Sequence, residues 1–404
     1  MYEREAKKVL EEVNNTFKIL LLTGPRQTGK TTLLKKIMPK NMSYVTLDDE
    51  QLRKQANDSP ALFLEEHPAP LFIDEVQYAP NLFSYIKIKV DNEKKYGMYW
   101  LTGSQQFKLM KNVSESLAGR VGIIALNTLT YSELSNDIAN KKLFDPANIT
   151  KSNSVDINKL FEVIFKGGYP ELCSNSKLSR HLFFESYINT YIERDVKDVL
   201  NISDNLAFTR FLTSIASRTG KELNYSAIAS EVGITVPTAK SWLSILVSSG
   251  LVYLLPPYMN SKLKRLTHVP KLYFMDTGLC AYLAGWSDAK TLQLSSTSGH
   301  YLETYIISEI VKSYNAQGVD INISYYRDKE KNEIDLIFEK NNTLYPFEIK
   351  KNSNPDVSMA KNFKLLNATN KKIGKGGIIC TYNDLISLND DIYSIPISSV
   401  INPK

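Results

Sequence analysis

The nine residues Gly24–Thr32, GPRQTGKTT, fit G-x-x-x-x-G-K-[ST] without a gap, and the apolar run FKILLLTG (Phe17–Gly24) leads straight into them. No other stretch restricts the fold as much. A loop that wraps phosphate oxygens with backbone N–H groups needs a buried strand before it and a helix N-terminus after it. KTTLLKKIM supplies that helix. The expectation is an α/β domain in which Gly24, Pro25, Arg26, Gln27, Thr28, Gly29, Lys30, Thr31 and Thr32 cradle ATP. Lys30 is expected on the β- and γ-phosphates and the Thr31 hydroxyl on Mg2+.

A second carboxylate motif belongs with such a loop. LFIDEVQ (Leu71–Gln77) ends an apolar strand in Asp74 and Glu75. Asp74 is expected to hold Mg2+ through water, and Glu75 to orient or deprotonate the attacking water. GMYWLTGS (Gly97–Ser104) brings a third strand end, where Thr102, Ser104 or Gln105 would sense the γ-phosphate. YVTLDD (Tyr44–Asp49) is a further strand, and GIIALNTLTY (Gly122–Tyr131) is expected to close the sheet. In SESLAGRVG, Arg120 precedes that last strand. It is either an arginine that reaches the γ-phosphate of a neighbouring subunit, which requires a homo-oligomer, or an ordinary surface arginine.

At 404 residues the chain is long enough for two to four domains, and 43% hydrophobic with 23% charged residues suits a globular protein. A net charge of +6 permits an acidic partner such as DNA without demanding one. Cys173, Cys280 and Cys380 are scattered in no metal-ligand spacing, which points to a reducing compartment without disulfides. MYEREAKKVLEEV has no apolar signal core, and no apolar run is long enough to cross a bilayer. A cytoplasmic protein with no membrane partner is expected.

From Glu222 the texture changes. ELNYSAIASEVGITVPTAKSWLSILVSSGLVYLLPPY reads as helix, turn at Gly233, helix and strand pair, at winged-helix spacing. Ala239, Trp242, Leu243, Leu246 and Val247 mark the buried face of the second helix. Its other face carries Thr238, Lys240, Ser241, Ser244 and Ser248, small and polar enough for a major groove. Beyond it, Lys262, Lys264, Arg265 and Lys271 are candidate phosphate contacts. One basic residue on the helix face leaves DNA contact to backbone or shape, or else a structural docking role, as alternatives.

NEIDLIFEKNNTLYPFEIKK (Asn332–Lys351) reads as two strands and a turn. Glu348 and Lys350 share one strand face, and Asp335 lies on the strand before. Two carboxylates and an ammonium at one point suit metal-dependent phosphodiester hydrolysis, with Asp335 and Glu348 as metal ligands. In GHYLETYIISE, Glu303 and Glu309 are six residues apart and fall on different faces of a helix. Only one of them is expected to point at the strands.

The ordered set LLLTGPRQTGKTTLL, LFIDEVQ, WLTGSQ, SLAGRV, GGYPE, YIERDV, YFMDTGL and EIDLI…FEIKK resembles a family of prokaryotic AAA-type P-loop ATPases with a C-terminal DUF4143 domain. The resemblance implies an α/β AAA-type ATPase core with a helical lid, a winged-helix segment and a C-terminal α/β domain similar to PD-(D/E)xK nucleases. It also favours Glu303 as the helix glutamate that joins Asp335, Glu348 and Lys350. In YYRDKEKNEIDLI, Arg327 is a candidate for an added phosphate contact. The expected boundaries are residues 1–137, 138–215, 216–270 and 271–404. The expected function is a Mg2+-dependent ATPase coupling hydrolysis to engagement of DNA, forked or branched DNA in particular. A nucleotide-gated switch binding a protein partner and an ATP-dependent defence nuclease are the alternatives.

Overall fold

The computed structural model describes residues 2–103, 116–191, 205–259 and 268–404. Ser104, Gln105, Lys262, Lys264, Arg265 and most of YIERDV lie outside the described residues.

The first unit is built on five parallel strands: β1 (Ile19–Thr23), β2 (Ser43–Thr46), β3 (Leu71–Asp74), β4 (Tyr99–Thr102) and β5 (Val121–Ala125). Their order across the sheet is β2-β3-β4-β1-β5. Parallel strands covered on both faces read as unbroken apolar runs, and β1 obeys this. Ile19 and Leu21 enter one core with Ile73 and Leu101, while Leu20 and Leu22 enter another with Phe72 and Trp100. β5 closes the edge, as expected. The ends of β1, β3 and β4 meet on one side of the sheet, next to the P-loop helix (Lys30–Ile37).

The second unit is a three-stranded sheet ordered β6 (Lys221–Glu222), β8 (Lys271–Phe274), β7 (Val252–Leu255). Two helices, Tyr225–Val232 and Val236–Ser248, lie between β6 and β7 in sequence. Asn224 caps the first, Gly233 ends it at φ 80°, and Thr235 caps the second. The expected boundary between 270 and 271 is therefore misplaced. It cuts off β8, whose four residues pair with β7 and complete this sheet. The sequence hid this because the residues joining β7 to β8 carry no apolar periodicity.

The third unit is a mixed sheet of β9 (Ile323–Arg327), β10 (Glu333–Lys340), β11 (Thr343–Lys350), β12 (Lys372–Ile373), β13 (Gly376–Cys380), β14 (Ile386–Ser387) and β15 (Ile392–Pro396). β10 and β11 form the anticipated hairpin. Its turn residues Asn341 and Asn342 both take positive φ, 50° and 60°, as a two-residue primed turn needs. A 19-residue helix, Ser298–Ala316, runs through the middle and is buried on nearly every side. One continuous core extends from Phe144 to Ile401 and takes in the second and third units together. The polar stretch from Ser132 to Asn158 also belongs to it: Phe144 packs on Phe338 and Phe347, and Ser152 Oγ donates to Asn402 O at 2.7 Å. Among the described residues no helix is long and apolar enough to cross a membrane, and Cys173, Cys280 and Cys380 are all free thiols.

Candidate functional site

The P-loop is pinned from several directions. Gly24 sits at φ 136°, and a Cβ there would overlap the Leu126 carbonyl oxygen, so only glycine fits. Thr28 Oγ1 donates to Pro25 O at 3.0 Å. Lys30 Nζ curls over the loop and donates to Gly24 O and Pro25 O at 3.0 and 2.7 Å. Arg4 is a contributor that sequence reasoning missed. Buried beside the loop, it donates to Thr28 O (2.7 Å), Asn127 O (2.6 Å) and Glu133 Oε1 (3.0 Å). It stands in a charged N-terminal stretch with no motif around it, so nothing in the sequence flags it.

Under the loop, the P-loop helix, β2 and the end of β4 each send a hydroxyl to Asp74 at the end of β3. Thr31 Oγ1 lies 3.0 Å from both Asp74 oxygens, Tyr44 OH donates to Oδ2 at 3.2 Å, and Thr102 Oγ1 donates to Oδ1. A hydroxyl and a carboxylate side by side are hard oxygen donors of the kind Mg2+ takes together with waters and phosphate oxygens. The expected pair Thr31 and Asp74 thus fits that ion. Of the three candidates on the β4 end, Thr102 reaches Asp74; the other two lie outside the described residues. Glu75, one residue past Asp74, adopts φ 55° and ψ 44°, and its Oε2 accepts from Gln77 Nε2. Left-handed backbone at a glutamate is uncommon and strained. It turns the side chain out of the strand's alternation, at the edge where the P-loop lies.

Next to the loop opens a cavity of about 440 Å3 lined by Tyr2, Arg4, Thr28, Gly29, Leu129 and Pro170, among others. Arg120 is elsewhere. It directly precedes β5, at the end of the sheet opposite the P-loop, and its guanidinium grips Asp91 at 2.5 and 2.9 Å. Within one chain it does not meet the P-loop residues.

The second candidate site lies between the second and third units. Continuing the β10–β11 register one step beyond Leu336 and Phe347 sets Asp335 opposite Glu348. The β9–β10 register slips between Ile334 and Ile337, a bulge of the kind that re-aims a side chain next to functional sites. Lys350 Nζ bridges the two carboxylates, 3.0 Å from Asp335 Oδ2 and 2.6 Å from Glu348 Oε2. Ile349 N also donates to Asp335 Oδ2 at 2.9 Å. Glu303, on the long helix, is held by Tyr273 OH at 2.5 Å and Lys271 Nζ at 3.0 Å. Burial and the neighbouring Asp335 push the Glu348 carboxyl up to about 9. Burial pushes Asp335 up too, but Lys350, Lys271 and the Ile349 N–H outweigh it and hold that carboxyl low.

Two expectations are corrected here. Lys271, assigned to phosphate contact, is only 2% exposed; its ammonium lies 2.5 Å from Glu333 Oε1 as well as on Glu303. It sits on a central strand rather than in a basic loop, which the run of cations before it disguised. Arg327, a second phosphate candidate, is paired with Glu222 at 2.6 Å and Glu333 at 3.7 Å. The cluster is thus neutralised by its own cations. Lys350 Nζ occupies the space between Asp335 and Glu348, so their present arrangement fits an ammonium group. Glu309, on another face of the helix, is buried as well. Its Oε2 accepts from Tyr131 N at 2.7 Å and ties the long helix to the P-loop unit.

On the helix Val236–Ser248, Lys240 and Ser241 are exposed and Thr238 is half-buried. Ala239, Trp242, Leu243 and Leu246 are buried as expected, and Val247 is half-buried. Thr238 shares its hydroxyl with Thr235 at 2.8 Å, and Lys240 Nζ lies 5.5 Å from the Tyr225 ring.

Residues 16–135 match the AAA domain family. Residues 157–290 match DUF8612 and residues 298–400 match DUF4143, both domains of unknown function. Uncharacterized proteins of Mycobacterium tuberculosis and Mycobacterium bovis are each 26% identical over 400 residues, covering 98% of this chain and 84% of theirs. Among solved structures, the Walker-type ATPase of Pyrococcus abyssi overlaps 69% of this chain and 94% of its own, at 15% identity and a TM-score of 0.45. A RuvB variant of Thermotoga maritima overlaps 62% and 89%, at 19% identity and a TM-score of 0.30. Both superpositions are loose. The chain joins an AAA-type P-loop domain to a DUF4143 region through a DUF8612 segment.

Proposed function

We propose that the protein is a Mg2+-dependent ATPase whose turnover controls how its C-terminal half engages DNA. The observation that carries the first part is the meeting of Thr31, Asp74 and Thr102 beneath the P-loop, with Glu75 at the next position. Mg2+ would be held by Thr31 and Asp74, and when bound it offsets charge on the phosphate oxygens. Lys30 leaves the Gly24 and Pro25 carbonyls for the β- and γ-phosphates. Glu75 takes a proton from water as the water oxygen bonds to the γ-phosphorus, and the bond from that phosphorus to the bridging oxygen breaks to release ADP. Gln77, which holds Glu75, sets where that carboxylate points. The 440 Å3 cavity beside Gly29 suits the nucleotide base.

The second part rests on the order helix, short strand, two helices and hairpin from Leu206 to Phe274, which supports a winged helix. Lys240 and Ser241 are its exposed candidates for backbone contact; Lys262, Lys264 and Arg265 remain candidates from the sequence, outside the described residues. The test is ATP turnover with single-stranded, duplex and forked DNA at near-physiological salt. Stimulation that is strongest with forked DNA and weaker in Lys240→Ala is expected. Equal turnover in all samples, with no DNA binding below micromolar, would refute it.

One observation favours a second reading, a nucleotide-gated switch that binds a protein partner. Glu303, Asp335 and Glu348 already have Lys271, Lys350 and Tyr273 as partners, which argues for a held structural cluster over a working nuclease. Slow turnover insensitive to DNA, with intact DNA on a denaturing gel, is its signature.

A further inference from the structure

Two sequence motifs, GGYPE (Gly167–Glu171) and YFMDTGL (Tyr273–Leu279), take no part in the chemistry above, yet the structure meshes them. Gly168 N donates to Asp276 Oδ2 at 2.8 Å, and Leu279 N donates to Asp276 Oδ1 at 2.9 Å. Leu129 N donates to Gly168 O at 2.7 Å. There is no room to spare at this junction. A Cβ on Gly167 would overlap Asp276 Oδ1, one on Gly168 would overlap Leu129 O, and one on Gly278 would overlap Lys166 O.

Each end of the meshed pair reaches a different site. On one side Pro170 lies against the P-loop: its Cγ would stand 4.0 Å from a Cβ at Gly29, and Leu129, Pro170 and Glu171 line the 440 Å3 cavity. On the other side Asp276 continues directly from β8, whose Lys271 and Tyr273 hold Glu303. β8 is the central strand of its sheet, hydrogen-bonded on both edges, and all four of its residues are at most 2% exposed. A strand so enclosed shifts as a unit. From Lys271 to Asp276 it spans roughly 17 Å at about 3.3 Å per residue.

We propose that β8 with Asp276 is the link by which nucleotide in the cavity beside Gly29 reaches the carboxylate cluster. The proposal rests on the ATP-binding reading and adds the route. A nucleotide that displaces the Gly168–Pro170 loop cannot be accommodated by local slack, because the glycine contacts are already close. The displacement passes to Asp276, and β8 carries Lys271 and Tyr273 along relative to Glu303. A shift of about 1 Å takes the Tyr273–Glu303 hydrogen bond to the limit of bonding distance. Both sites then bias one two-position element, which is what coupling requires.

The test is hydrogen–deuterium exchange of the full chain with Mg2+ and a non-hydrolysable ATP analogue, read on peptides covering residues 301–309 and 333–350. Nucleotide affinity and unfolding temperature are measured on the same samples, for wild type, Asp276→Asn and Tyr273→Phe. Asp276→Asn leaves one side-chain oxygen for the two N–H groups of Gly168 and Leu279 and so breaks one of the two bonds of the mesh; Tyr273→Phe loosens the far end and keeps the ring. Nucleotide is expected to change exchange at 333–350 in wild type. In both variants that change should fall at least about twofold, with affinity kept within about threefold. Nucleotide binding with no change at 333–350 in wild type would overturn the link and leave the ATP reading standing. Variants that unfold earlier but keep the full nucleotide-induced difference would show a merely structural strand and overturn it as well. Absence of nucleotide binding would overturn both.

Discussion

Replacing Lys271 by methionine tests the buried cluster at its most exposed assumption, that an internal lysine holds Glu303. The stem of Lys271 is enclosed, so methionine fills most of its volume and what disappears is the ammonium. That ammonium lies 3.0 Å from Glu303 Oε1 and 2.5 Å from Glu333 Oε1. Glu333 is partly exposed and keeps Arg327 at 3.7 Å. Glu303, 7% exposed, keeps only the Tyr273 hydroxyl among the donors named here. Breaking one side of a buried ion pair costs about 3–5 kcal/mol, because the other charge stays behind without compensation. For a cooperative unit the size of the shared core, that lowers the unfolding temperature by about 6–20 °C. The partner change Glu303→Gln removes the stranded charge, and the glutamine oxygen still accepts from Tyr273. The double variant Lys271→Met/Glu303→Gln should therefore recover more than half of the loss, measured by differential scanning calorimetry with both single variants beside it. A single variant as stable as wild type, or a double variant that merely adds the two losses, would refute the pairing.

A second prediction concerns pH. The Glu348 carboxyl, pushed up to about 9, keeps its proton in the folded chain where the unfolded chain has lost it. The folded state therefore binds more protons between about pH 4.3 and 9, and stability falls as pH rises through that window, by at most about 1.4 kcal/mol per unit. Glu348→Gln should flatten unfolding temperature against pH between 7 and 9; parallel curves for variant and wild type would refute it. At Arg120 the pair with Asp91 is at the surface, so Arg120→Ala should leave unfolding nearly unchanged. If the guanidinium serves a neighbouring subunit, turnover per chain should rise with protein concentration in wild type and fall at least about tenfold in the variant. Unchanged turnover would leave Arg120 a surface arginine.

The sequence revealed most where one residue type at one spacing has a single physical use. The P-loop and the LFIDEVQ strand are such cases: a glycine at φ 136° and an Asp next to a Thr follow from the motif. The hairpin of β10 and β11, with Glu348 and Lys350 on one face, was legible from alternation, and the different faces of Glu303 and Glu309 followed from helix geometry. What stayed hidden depends on partners far away in the chain. Lys271 reads as one more cation after Lys262, Lys264 and Arg265, and only the pairing of β8 with β7 shows it to be interior. Arg4 is similarly silent, because its three acceptors lie between 24 and 129 residues away. Four domains were expected, yet two of their three boundaries, 215/216 and 270/271, fall inside the continuous core from Phe144 to Ile401. Apolar periodicity reports that a face is buried, not what it is buried against.

The central claim is that the P-loop edge of the five-stranded sheet binds and hydrolyses ATP. The most direct measurement is release of phosphate from ATP with Mg2+, alongside binding of a fluorescent ATP analogue, for wild type, Lys30→Ala and Glu75→Gln. Wild type should bind and turn over. Lys30→Ala should lose tight binding, whereas Glu75→Gln should keep binding and lose hydrolysis by at least about a hundredfold, as removal of a general base does. Turnover in Glu75→Gln equal to wild type, or nucleotide binding that survives in Lys30→Ala unchanged, would contradict the account.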